Sequence, residues 1–140
     1  MTFKQILNPV DGSEHSRRAT RHAMTLAKQF DSKIILLHCH NRFPVALSEP
    51  YFQQAIDEIM KTSEALVEPY EAILEESGVN FEVRILEGLP GSTIADVVSI
   101  EKIDLVVMGS RGVSDFEGLF LGSVAHQVLH KSNCPVFIAK

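Results

Sequence analysis

The sequence predicts an α/β fold in which a parallel sheet is covered by helices on both faces. Three observations carry that prediction. Short apolar runs alternate along the chain with longer segments of helical period, in the order β-α-β-α-β-α-β-α-β. Two of the runs, Lys33 to His38 and Ile103 to Met108, are apolar almost throughout, as strands buried on both faces are. The 140 residues fit one domain, residues 1–140, with no linker, repeat or low-complexity stretch to divide them. Right-handed crossovers then restrict how the sheet is wound.

Phe3 to Val10 is the first apolar run, closed by Pro9 and Gly12. Ser13 to Phe30 places Ala19, Ala23, Ala27 and Phe30 on one helical face. The Ser13 hydroxyl is suited to accept from a free N–H at the start of that helix. Lys33 to His38 is the second strand. Asn41 to Pro50 holds two prolines and no period, and reads as a loop. Tyr51 to Ser77 is a long acidic helix with Ile56, Ile59, Met60, Ser63, Leu66, Val67, Ile73 and Leu74 inward. Pro69 has no N–H to donate and predicts a break or kink near Glu68. Gly78 ends the helix as a left-handed terminal residue. Val79, Phe81, Val83 and Ile85 alternate up to Glu87, which predicts a strand with one wetter face. Gly88 and Pro90 lead into a helix from Gly91 to Glu101 with Ile94, Val97 and Val98 inward. Ile103 to Met108 is the fourth strand and Ser110 to Leu121 a glycine-rich loop. A helix from Gly122 to Lys131 and a strand from Cys134 to Ala139 complete the chain.

The composition is that of an ordinary globular protein, 45% hydrophobic and 22% charged with a net charge of −5. It excludes a disordered chain, a fibrous repeat and a disulfide scaffold. Cys39 and Cys134 form no C-x-x-C pair, which argues against a redox couple or a zinc clip. Met1 to Val10 resembles neither a signal peptide nor a membrane span, so a cytoplasmic location is expected. The mild acidity argues against nucleic acid as the main partner. Residues 1–42 carry seven basic against three acidic residues, net +4, and residues 49–87 ten acidic against two basic, net −8. Two differently charged helix surfaces account for this, as does a basic docking surface around Arg17, Arg18 and Arg21.

Ligands of an open parallel sheet bind beyond the carboxyl ends of the strands, where the winding reverses. Two turns there stand out. Asn8-Pro9-Val10-Asp11-Gly12-Ser13 follows the first strand. Met108-Gly109-Ser110-Arg111-Gly112, then nine residues, then Gly122-Ser123-Val124 follows the fourth. Gly109 and Gly112 let backbone approach a ligand with no Cβ between. Gly122-Ser123 opens a helix whose free N–H groups and positive dipole end favour an anion. Arg111 adds charge and Ser123 a hydroxyl, and Asp11 is placed to accept from a ribose. Ordinary turn and cap chemistry accounts for the same residues. Neither a P-loop nor a G-x-G-x-x-G dinucleotide fingerprint is present.

The spacing Gly109-x-x-Gly112, nine residues, Gly122-Ser123 resembles the ATP-binding signature of the universal stress protein family. Pro9-Val10-Asp11-Gly12-Ser13, Leu37-His38, Glu87-Gly88-x-Pro90, Val106 to Gly112, Gly122 to Ala125 and Cys134-Pro135-Val136 fall in that family's order along the whole chain. The resemblance implies a flavodoxin-like three-layer sandwich with a five-stranded parallel sheet of order 3-2-1-4-5. It implies that Asp11 contacts the ribose and that Pro9 and Val10 line the nucleotide site, with Met108 and Gly109 bordering the nucleoside. Gly112, Gly122, Ser123 and Val124 would hold the phosphates. Cys39 stands where the family commonly places a small apolar residue against the adenine, and a thiol behaves much like one.

The implied function is a nucleotide-responsive regulator of stress survival, with ATP and Mg²⁺ ordering the Ser110 to Leu121 loop and with hydrolysis at most slow. A nucleotide-dependent hydrolase or transferase is the alternative, as is a nucleotide-free interaction module acting on an unidentified partner protein. His38 with His40, and His126 with His130, have metal-compatible spacings, but neither pair has a third ligand nearby. No catalytic base can be assigned. The last strand, Pro135 to Lys140, would lie at a sheet edge in the implied order, and many members of the family dimerise through it. A homodimer closed by this segment is expected.

Overall fold

A computed structural model describes residues 2–113, 115–116 and 118–140; Ser114 and Glu117, inside the predicted 110–121 loop, lie outside the described residues, as does Met1. Along the chain the elements are β1 (Gln5–Pro9), α1 (Glu14–Phe30), β2 (Lys33–His40), α2 (Tyr51–Ser77), β3 (Asn80–Glu87), α3 (Pro90–Glu101), β4 (Leu105–Gly109), α4 (Ser123–Lys131) and β5 (Val136–Ala139). The strands form one sheet of order β3-β2-β1-β4-β5, and every pairing is parallel. This is the expected three-layer α/β sandwich.

Alternation along the central strands sends successive side chains to opposite layers. Ile6, Ile34, Leu36 and Val107 pack with Ala19, Ala23 and Ala27 of α1 and Val67, Tyr70 and Leu74 of α2. Leu7, Ile35, Leu37 and Val106 pack with Ile94, Val97 and Val98 of α3 and Ala125 and Val128 of α4. Burying each of the larger aliphatic side chains contributes about 1.5–3 kcal/mol. The small alanine face of α1 lets that helix lie close to the sheet, which brings its first turn to the ends of β1 and β4.

Pro69 does not break its helix: α2 runs without interruption from Tyr51 to Ser77. The physical reason is position. Pro69 and Ala65, whose carbonyl loses its partner, are both exposed, so water can satisfy that group, while Val67, Tyr70 and Leu74 hold the helix to the sheet on either side. Other differences are at element ends. β2 extends two residues past His38, and β5 starts at Val136 rather than Cys134. Gly122 is the cap of α4 rather than its first residue. On β3, Phe81, Val83 and Ile85 face the α1–α2 layer. Glu82 and Arg84 form the wetter face, where Arg84 bonds Glu101 at 2.9 Å and Lys33 bonds Glu82 at 2.8 Å.

The sheet opens between β1 and β4. Their register covers only Ile6 with Leu105 and Leu7 with Val106. Beyond that point the Asn8 side chain takes over: its amide Nδ2 donates to the Val107 carbonyl at 2.9 Å, and its Oδ1 accepts from Thr20 Oγ1 at 2.7 Å. Asn8 is wholly buried, and leaving such a group unpaired would cost about 1–3 kcal/mol. The splay is therefore built in, at the place where the winding direction reverses.

Candidate functional site

A cleft with a water-accessible volume of about 90 Å³ occupies the gap between the ends of β1 and β4. Pro9, Val10, Asp11, Cys39, Met108, Gly109, Arg111, Gly112, Gly122 and Val124 all line it. Of the residues singled out in the sequence, Ser123 alone is not on the lining; it is exposed at the first position of α4. Leu37, His38, Pro90, Ile94, Ser110, Asp115 and Ala125 complete much of the wall. Val10, Leu37, Ile94 and Met108 make one end apolar and buried, whereas backbone amides and carboxylates crowd the other.

The turn after β1 is closely wired. Asp11 Oδ1 accepts from the Ser13 N–H at 3.0 Å, and Ser13 Oγ in turn accepts from the Ser16 N–H at 3.2 Å, capping α1 as predicted. Ser16 Oγ accepts from the Asp11 N–H at 3.2 Å and is paired with the Tyr70 hydroxyl at 2.9 Å. Tyr70 Oη also accepts from the N–H of Gly12, a residue at φ +86° that only glycine adopts readily. Burial pushes the Tyr70 phenol up, so it stays protonated at neutral pH. His38 contributes a bond between Nδ1 and the Val10 carbonyl at 3.0 Å.

Asp11 reaches across the cleft as well: Oδ2 accepts from the Val113 N–H at 3.1 Å. Within the loop, Asp115 Oδ2 accepts from the Gly112 N–H at 2.7 Å, and the Asp115 N–H donates to the Gly112 carbonyl at 3.2 Å. Three close approaches explain the glycines. A Cβ on Gly109 would stand 2.8 Å from His15 Cβ, where β4 meets the first turn of α1. One on Gly112 would stand 2.6 Å from Asp11 Oδ2. One on Gly122 would run into the Asp115 carboxylate and stand 3.1 Å from Arg111 Cα. Helix α4 is capped by Gly122 without a side-chain bond, and the Gly122 N–H donates to the Ser110 carbonyl, so the N–H groups of the helix's first turn have no side-chain acceptor at the cap.

Arg111 Nη2 lies 2.9 Å from His15 Nε2, and Arg18 Nη2 lies 3.1 Å from His15 Nδ1. Desolvation, then the Arg111 and Arg18 guanidiniums, lower the His15 imidazole against the pull of Asp11 and Glu14, which keeps it neutral. Cys39 is bonded to the Thr93 side chain, and burial pushes its thiol up to about 11. It is thus an inert apolar wall group at neutral pH. Among the described residues no group of three or more His, Cys, Asp or Glu side chains is placed to hold a metal ion.

Sequence reasoning missed Tyr70 and Asp115. Tyr70 is detectable by its helical spacing from Val67 and Leu74. Asp115 sits inside a nine-residue spacer whose members the spacing leaves unspecified.

The chain matches the family model described as "Universal stress protein family" over residues 2–140. It belongs to that family. A universal stress protein of Methanocaldococcus jannaschii is 34% identical over 140 residues, covering 99% of this chain and 82% of the relative. Another, encoded 3′ of the QAH/OAS sulfhydrylase of Thermus aquaticus, is 33% identical and covered at 99% on both sides. The solved structure of the hypothetical protein MJ0577 superposes with a TM-score of 0.89 at 28% identity, covering 100% of this chain and 97% of that one. Two more distant members of the family share the fold. One is in complex with cAMP (TM-score 0.73, 23% identity, 100% and 98% covered). The other, from Arabidopsis thaliana, has AMP bound (TM-score 0.71, 23% identity, 98% and 91% covered). Among the described residues no helix is long and apolar enough to cross a membrane.

Proposed function

We propose that this chain binds ATP in the β1–β4 cleft and acts in the cytoplasm as a nucleotide-responsive regulator of stress survival, hydrolysing ATP slowly at most. The observation that carries the reading is the meeting of Gly112 and Gly122 around a single anion-sized position at the polar end of an otherwise apolar cleft. In this reading the purine lies between Val10, Cys39, Ile94 and Met108, and Asp11 accepts from the ribose. The phosphates meet the N–H groups of Gly112, Ser123 and Val124 and lie against the open face of Gly122, whose own N–H is held by the Ser110 carbonyl, with Arg111 at the rim. The adenine nucleotides held by the two distant family members support the ligand class.

Both oxygens of Asp11 already accept backbone N–H groups, which suits positioning better than proton transfer. Mg²⁺ would arrive on the triphosphate, keeping most of its water, because the described residues offer no three-ligand cage. To test the reading, purified protein is denatured and any released nucleotide identified by mass, alongside calorimetric titration with ATP. One saturable site per chain is expected. No released nucleotide and no heat of binding would overturn it.

The chain also dimerises, in this reading, through the outer edge of β5. Pro135 and Ala139 carbonyls accept from β4 and its following turn, so residues 135, 137 and 139 face β4. The N–H groups of Val136 and Ile138 therefore point outward, and Phe137 is 37% exposed. Ile138→Pro removes an outward donor while sparing the β4 ladder, which a proline at Phe137 would break. Light scattering should show monomers for Ile138→Pro, and an unchanged dimer mass would reject the edge.

A further inference from the structure

Resting on the reading of the cleft as a nucleotide site, we propose that Asp115 is the chain's own occupant of the phosphate seat, and that it sets how strongly the site favours phosphorylated ligands over nucleosides. One carboxylate oxygen lies against two of the three glycines of the signature, Gly112 and Gly122. Asp115 Oδ2 accepts from the Gly112 N–H at 2.7 Å, and the same oxygen stands against the face of Gly122, where a Cβ would collide with it. The turn that carries Asp115 is closed by its own N–H on the Gly112 carbonyl, so the side chain is directed back into the loop. A carboxylate oxygen and a phosphate oxygen ask for the same N–H donors. Gly112 has one N–H, and it cannot point at both.

A phosphate therefore enters only as Asp115 leaves, and two anions in one seat would also repel each other. Ligand binding and release of this carboxylate are the same event. A nucleoside carries no group that reaches the seat, so it binds beside Asp115 without displacing it. The residue lowers affinity for phosphorylated ligands because it already satisfies the Gly112 N–H. Asp11 does not have this role: it holds Val113 N–H from the opposite wall, and its other oxygen is fixed in the turn after β1.

The test is a calorimetric comparison of ATP and adenosine, in EDTA at fixed ionic strength, with the full chain and its Asp115→Asn and Asp115→Ala variants. Melting curves with and without ATP are recorded in parallel. ATP affinity should rise about 10-fold in Asp115→Ala and by less in Asp115→Asn, with adenosine affinity unchanged within about twofold. Without ligand, Asp115→Ala should melt lower, and its ATP-induced upward shift should be larger than that of the unaltered chain. A purely structural role would lower the melting point without raising ATP affinity, and that result overturns the proposal. So does an equal gain for adenosine, or weaker ATP binding in Asp115→Ala. Failure of ATP and adenosine to bind any of the three proteins would instead remove the nucleotide reading itself, and this inference with it.

Discussion

The two turns that face each other across the cleft are built differently. Residues 9–16 are tied into the fold from three sides: Tyr70 of α2 holds Gly12 and Ser16, Leu37 of β2 accepts from the Val10 N–H, and Ser13 caps α1. The loop from 110 to 122 has its ends fixed, with Ser110 N–H on Ala139 O and Gly122 N–H on Ser110 O. Between those ends, the N–H groups of Gly112 and Val113 are held by carboxylates, those of Asp115 and Asp11. Val113, Phe116 and Phe120 of the same loop are exposed, Phe120 by 84%, with Lys140 Nζ lying 5.6 Å from its ring centre. One wall of the cleft is preorganised by the core. The other is held in part by carboxylates, which ask for the same N–H donors as a phosphate does, and so it is the wall that the proposed ligand would rearrange.

Replacing Gly122 by valine breaks the second wall. Its Cβ meets Arg111 Cα, Ser110 O and the Asp115 carboxylate, so the loop must shift away from α4. ATP affinity should fall about 100-fold, equivalent to about 2.7 kcal/mol, in a calorimetric titration. The layers on either side of the sheet should keep their far-ultraviolet circular dichroism. Equal affinity would mean that the phosphates lie elsewhere.

Tyr70→Phe disturbs the first wall instead. It leaves the Gly12 N–H and Ser16 Oγ without the phenol, at a cost of about 1–2 kcal/mol in urea unfolding. Because the damage is to a turn and not to the phosphate seat, ATP affinity should change only a few-fold. A loss of affinity as large as that of Gly122→Val would show that the two walls are not separable.

The smallest expected effect is on pH dependence. The folded His15 imidazole titrates below its ordinary value, so the unfolded chain takes up a proton first as pH falls. Stability is therefore full above about pH 6.5 and declines below it, until the folded pKa is passed. Glu82 and Glu101, lowered by their bonds to Lys33 and Arg84, add a separate loss as pH falls through the carboxylate range. His15→Gln should flatten only the upper part of this profile. An unchanged profile between pH 5 and 7 would reject the assignment to His15.

Much of this architecture is legible in the sequence because periodicity reports burial. The apolar runs at 33–38 and 103–108 name the central strands, and the alanines of α1 name its inner face. Pro69 does not end its helix, a result that local propensity misses because it is blind to an exposed carbonyl and to the packing of Val67, Tyr70 and Leu74 around it. The glycines that line the cleft are legible through their spacing, since close approach is a property of backbone. Asp115 is not, because what matters is where its carboxylate returns in space, and Asn8 is not, because its role appears only once β1 and β4 diverge.

The most direct test of the account is amide NMR of the labelled chain during ATP addition. The account predicts that the N–H resonances of Gly112 and Gly122 move first and farthest, together with those of Asp11 and Cys39. Saturable ATP binding that left the Gly112 and Gly122 resonances in place would contradict it.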